Sequence, residues 1–255
     1  MLPYHKKLLL SSAGNAQKIK AAHFDGGDNI YRGSSLVGSA DSFKGTLSFW
    51  IRPNVTAGSP YSSMAVIIGK DTGGSGSLRY DCFINSSNNL ILRLRTDNGS
   101  SLLIVNLVLT ITDLEWNHIL VSYDASSNVV KGCVNDVIQV HGIMWESNTS
   151  DTIDHTLTEW GVGKGFNTYN EYVGDMADFW INFGTYIDLT VVSNRRKFIT
   201  DEGLPADMGA DGSTPLGSQP PIFFSIQDGE DATDFSTNKG NGGAWVENGT
   251  LTNSI

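Results

Sequence analysis

The chain has 255 residues, 40% of them apolar and only 17% charged, which is enough to bury one large core or two small ones. Its formal charge is −10 at neutral pH, so partners built of phosphates are excluded: no nucleic acid and no anionic membrane surface is expected. No apolar run is long enough to cross a bilayer. The opening segment holds Lys6, Lys7 and then only Leu8-Leu9-Leu10, too short for the apolar region of a signal peptide, so synthesis and folding in a cytoplasm are expected.

Residues 1–20 read as an N-terminal segment, and residues 21–255 as one β-sandwich. Residues 46–52 alternate, with Leu47, Phe49 and Ile51 on one face and Thr46, Ser48, Trp50 and Arg52 on the other, before Pro53 stops the strand. Further strands are expected at 65–68, 78–84, 90–96 and 102–111, separated by turns such as 85–89 and Asp97-Asn98-Gly99. In 116–123, Ile119, Val121 and Tyr123 share a face; 129–134 and 137–140 bracket the tight-turn pair Asn135-Asp136. Strands at 160–163 and 177–183 follow, the latter with Ala177, Phe179, Ile181 and Phe183 on one face. One short helix is expected near residues 190–200, with Arg195, Arg196 and Lys197 toward its C-terminal end and Gly203 and Pro205 beyond it. A Gly/Pro-rich excursion at 203–221 precedes a C-terminal hairpin at 222–255, turning at Lys239-Gly240-Asn241-Gly242-Gly243. This succession makes an all-β sandwich of two antiparallel sheets.

Chemistry-bearing patterns are sparse. Cys82 and Cys133 lie in no CxxC or Cys/His group, and buried free thiols are expected. Arg195-Arg196-Lys197 reads as a solvated helix face. Glycosidases need two carboxylates aimed into one cleft; Asp228-Gly229-Glu230-Asp231 reads as a turn, and Glu171, Asp175 and Asp178 straddle Gly174. The histidines form no HExxH or His-x-His, and Gly161-Val162-Gly163-Lys164-Gly165 lacks the Ser or Thr of a phosphate loop. No catalytic residues are assigned, and a non-enzyme is expected. The residues suited to stack on or hydrogen-bond a sugar, or to anchor a protein interface, are Trp145, Phe166, Asn167, Tyr169 and Tyr172. Trp50 and Trp180 join them, on strand faces opposite the Leu/Phe/Ile rows, to be covered by a terminal segment or by another subunit.

Six segments carry a family resemblance: Ala22-His23-Phe24-Asp25-Gly26, Leu47-Ser48-Phe49-Trp50-Ile51-Arg52-Pro53, Trp116-Asn117-His118-Ile119-Leu120-Val121-Ser122-Tyr123-Asp124, Val134-Asn135-Asp136-Val137, Gly161-Val162-Gly163 and Gly174-Asp175-Met176-Ala177-Asp178-Phe179-Trp180-Ile181. Taken in order, they resemble the concanavalin A-like lectin/glucanase superfamily, and within it laminin-G-like domains. That implies a concanavalin A-like jelly-roll sandwich. It also implies no cofactor beyond a structural Ca²⁺ at a loop rim, for which Asp25, Asp28 and Asn29, or Asp71 and Asp97, are the candidates.

Downstream, Ser193-Asn194-Arg195-Arg196-Lys197-Phe198-Ile199, Gly203-Leu204-Pro205, Gly209 to Pro215, Pro220-Pro221-Ile222, Asn238 to Gly243 and Gly249-Thr250-Leu251 resemble laminin-G-like proteins of tailed bacteriophages and prophages. This narrower resemblance implies a non-catalytic virion structural protein, either a tail or fibre component or a capsid decoration, made in the host bacterial cytoplasm. Its partners would be other virion proteins, further copies of itself and a host cell-surface glycan. The alternatives are a carbohydrate-binding adhesin module for host polysaccharide and an atypical glycoside hydrolase.

Overall fold

The computed structural model describes residues 19–54, 63–70, 78–96, 103–139, 142–143, 152–165 and 169–254, with 63, 103–106, 142, 143 and 169 described by backbone alone. In chain order the strands are β1 (Ala22–Asp25), β2 (Asn29–Arg32), β3 (Lys44–Pro53), β4 (Ser63–Lys70), β5 (Leu78–Ile84), β6 (Asn89–Arg95), β7 (Leu103–Thr110), β8 (Asn117–Asp124) and β9 (Val129–Val134). They continue as β10 (Val137–Gln139), β11 (Gly142–Ile143), β12 (Glu159–Val162), β13 (Tyr169–Asn170), β14 (Val173–Phe183), β15 (Ile222–Phe224), β16 (Val246–Asn248) and β17 (Thr252–Asn253). The helix expected near 190–200 is a single turn, α1 (Val192–Arg195).

The strands form two sheets. The first runs β10-β9-β8-β3-β14-β1-β17, with β15 also on β14; the second runs β11-β7-β6-β5-β4-β12-β2-β16, with β13 on β4. Every pairing is antiparallel except β13 with β4. The chain therefore adopts the expected all-β jelly-roll sandwich of two sheets. Period-2 alternation decides which side chains fill it. Leu47, Phe49 and Ile51 of β3, Ile119 and Val121 of β8 and Phe179 of β14 meet Ile67, Tyr80, Leu92 and Trp160 of the second sheet. Asn135 and Asp136 both have positive φ, 50° and 65°, the conformation a two-residue hairpin turn requires between β9 and β10.

The alternation of β14 departs from the one read in sequence. Between Ala177, opposite Trp50, and Trp180, opposite Ser48, one extra residue enters the strand, and Asp178 takes it up at φ 43°. Phe179 and Ile181 face the inter-sheet core, but Ala177 is thrown to the outer face, where it packs with Trp50, Ala21 and Ile199.

The outer face of the first sheet is covered by its own chain. Ile187, Leu189, Phe198 and Met208 lie over Leu120, Cys133 and Trp180, making a second apolar layer. This cover explains why β8 is buried on both faces. Arg195 and Arg196 are not a free basic face: both bind Asp136, Arg195 at 2.5 Å, and so pin α1 to the β9–β10 turn. Although burial opposes it, those hydrogen bonds hold the Asp136 carboxyl below its ordinary pKa.

No terminal hairpin forms. β15 pairs with Phe179–Ile181 of β14, β16 with β2 and β17 with β1, so the last segment closes both sheets instead of folding on itself. Gly240 and Gly242 lie against the Pro220 and Pro221 carbonyls, where a Cβ would approach within 2.4 Å, and this close crossing directs the chain across the sandwich end.

Candidate functional site

The structure disperses the contact residues expected from sequence. Trp145, Phe166 and Asn167, with Asp71 and Asp97 of the calcium candidates, lie outside the described residues, and Tyr169 is placed only by its backbone, which pairs with Ser63. Tyr172 is wholly buried, edge-on to Phe24 at 5.9 Å, and its hydroxyl donates to the Asp175 carbonyl. It is a plug under the loop and has no surface to offer a ligand. Trp180 lies under the outer layer, against Phe198, with its indole N–H donating to the Gly212 carbonyl at 2.8 Å. Trp50 packs on the His118 ring at 4.8 Å beneath Ala21 and Ile199. Both tryptophans are thus sealed by segments of this same chain, which withdraws them from contact with another subunit.

The calcium candidates that are described are spent on the fold. Asp25 caps the Gly27 N–H at 2.6 Å. Asp28 accepts from the N–H groups of Thr250 and Asp25, and Asn29 accepts from Asn248 while donating to Glu171. These bonds tie β2 to the last segment of the chain. Among the described residues, no three His, Cys, Asp or Glu side chains are grouped to hold a metal.

Two cavities stand out among the described residues. The first, about 380 Å³, opens at the pole of the sandwich where residues 36–42 cross from β2 to β3, against the end of β14 and the 219–241 stretch. Its polar lining includes Ser39, Asp41, Asn182, Gln219 and Asn241, and Phe183 contributes apolar surface. Several of these residues are held from behind. Phe183 stacks on His155 at 4.1 Å and 15°, which fixes its ring. Asp41 Oδ1 accepts from the backbone N–H groups of His155 and Thr156, at 2.8 and 3.2 Å. Gln219 donates to the Lys239 carbonyl, and the Asn241 N–H to the Pro220 carbonyl. On two of these residues a polar atom sealed from solvent has no partner: Asn182 Oδ1 and Ser39 Oγ.

The second cavity, about 360 Å³, lies over the β14 bulge and is lined by Asp178, Asp207, Met208, Phe223, Lys20 and Asp228, among others. Lys20 is engaged with Asp228 at 2.5 Å. Desolvation and the neighbouring Asp207 push the Asp178 carboxyl up to about 7, against the pull of Lys239. The other acids grouped with it in sequence are apart in function. Asp175 binds Arg52 at 2.5 Å and His23 at 2.9 Å, and Glu171 binds Asn29.

No protein-family model and no curated protein matches the chain. Solved structures do. A candidate carbohydrate-binding protein from Bacteroides ovatus superposes with TM-score 0.57 at 14% identity, over 92% of this chain and 59% of that one. The chain thus spans less than two thirds of that protein's length. A heptameric SAP-like pentraxin from Limulus polyphemus (TM-score 0.45, 12% identity, 72% and 83% covered) and domains LG4-5 of the mouse laminin alpha1 chain (0.42, 10%, 67% and 43%) are more distant. At these identities the likeness is one of fold.

None of the polar-cavity residues was singled out in sequence. They come one at a time from separated turns and a strand end, and only Asn182, an amide between Ile181 and Phe183 at the end of β14, carried any local signal.

Proposed function

We propose that this chain is a non-catalytic, lectin-like binding module that contacts carbohydrate at the polar cavity of the sandwich pole. The observation that carries the reading is a cavity of about 380 Å³ lined by amides, a carboxylate and an aromatic ring fixed on His155. That mixture of a few placed polar groups and an apolar wall suits a polyhydroxylated ring. The fold likeness to a candidate carbohydrate-binding protein supports it. We take the module to work without a cofactor. Screening the purified chain against an array of bacterial and host glycans tests the reading; no binding to any glycan at millimolar-level sensitivity would reject it.

The resemblance of 193–251 to phage laminin-G-like proteins supports a finer placement: a tail, fibre or capsid-decorating protein, made in the host cytoplasm and carried in the virion with copies of itself and other virion proteins. Mass spectrometry of purified particles from a strain carrying the gene checks it, and absence of the chain from the particles removes it. One arrangement leans toward catalysis instead, the raised carboxyl of Asp178 beside Asp207, since a glycosidase acid needs such a shift. Release of reducing ends from a bound glycan, lost on Asp178→Asn, would replace the binding module with a glycoside hydrolase; no release is expected.

A further inference from the structure

Resting on the carbohydrate-binding reading, we propose that the pole cavity is a subsite for an uncharged saccharide unit and that it selects against uronate, sialate and sulfate groups. The chemistry of the lining decides this. Among the described residues that line the cavity there is no lysine, arginine or histidine to form an ion pair with an anion. The charged group among them, Asp41, is a carboxylate fixed in place by two backbone N–H groups. A hydroxyl can donate to that carboxylate, whereas a second carboxylate or a sulfate meets like charge at short range. The chain's charge of −10 adds a repulsion that acts before contact.

Asn182, Gln219 and Asn241 bring amides to the lining and Ser39 a hydroxyl, groups that donate and accept. A neutral sugar supplies hydroxyls that do both, at the spacing of adjacent ring carbons. Phe183, locked on His155, offers apolar surface for the ring's C–H groups. A volume of about 380 Å³ is at the lower end of the range for small-ligand sites, which suits a short saccharide rather than a long chain threaded through.

The test is a glycan microarray holding neutral hexose and N-acetylhexosamine oligomers together with uronate, sialylated and sulfated ones, probed with the wild-type chain, Asn182→Ala and Ala40→Trp. Asn182→Ala removes one amide of the lining. Ala40→Trp fills the cavity from an exposed position, leaving the buried network alone. Neutral glycans are expected to bind. Asn182→Ala should weaken them about five- to tenfold, one hydrogen bond's worth, and Ala40→Trp should abolish binding with an unchanged melting temperature. Binding of acidic glycans alone, or neutral binding indifferent to both substitutions, overturns the inference and leaves the binding-module reading standing. Binding of no glycan at all rejects that reading and this inference with it.

Discussion

Acidification should destabilise this protein through two histidines, and one carboxylate should partly conceal it. His118 and His155 are completely buried, and desolvation lowers each from 6.5 to about 3. Between those values the unfolded chain binds a proton at each site that the folded chain refuses, so stability falls as pH falls from about 6.5. From pH 8 to pH 4.5 the loss is about 2–3 kcal/mol per histidine, or about 5 kcal/mol together. Asp178 acts in the opposite sense. Its folded value, about 7, lies above its ordinary 3.8, so in that window the folded state holds the extra proton and acidification stabilises. The side chain keeps part of its surface in the cavity, which limits the return to about 2–3 kcal/mol. Wild type should therefore lose only about 2–3 kcal/mol over this range, and Asp178→Asn about 5, a large share of a domain's total stability. Asparagine tolerates the positive φ of the bulge, so the variant should be the more stable protein at pH 8 and converge on wild type near pH 4.5. Carboxyls held below their ordinary values, such as Asp124 and Asp136, begin to matter only below about pH 4. Urea unfolding followed by tryptophan fluorescence at half-unit pH steps reads all of this. An Asp178→Asn curve no steeper than wild type between pH 6 and 5, or no more stable at pH 8, would refute the reasoning.

Three further outcomes can be checked on the same protein. Gly249→Ala should cost about 2–3 kcal/mol in urea midpoint experiments, because Gly249 sits at φ 89° and a Cβ there would lie 2.1 Å from Asp28 Oδ1, the atom that caps Thr250. Trp180→Ala should cost about 3–5 kcal/mol and speed limited proteolysis within 187–216, since that ring is the floor on which Phe198 rests and its N–H is the tether of Gly212. Cys82 and Cys133 should be silent to a thiol reagent in the folded state and both react after unfolding, because burial raises both thiols, Cys133 to about 11.

The two parts of this molecule were legible to different degrees for a physical reason. Strand alternation is a local property, and where one face is buried it must be written into the sequence every second residue, as in Leu47, Phe49 and Ile51. The Asn135-Asp136 turn is likewise local, since two residues set it. The bulge at Asp178 hides because it changes no residue type, only the count of residues facing β3, and so it shifts Ala177 to the wrong face of a sequence-based assignment. Aromatic residues misled for a related reason. Tyr172 fills the main core beside Phe24, and Trp50 and Trp180 have the composition of a contact surface, but a chain long enough to lay residues 187–216 over its own sheet needs the same composition to cover that face. The polar cavity was least legible. Its groups are single residues from segments far apart in the chain, made into a site only when β14 ends against the crossing loops. What distinguishes Asn182 from the many other asparagines of this chain is the hydrogen bond it lacks, a property that exists only once every neighbour has been placed.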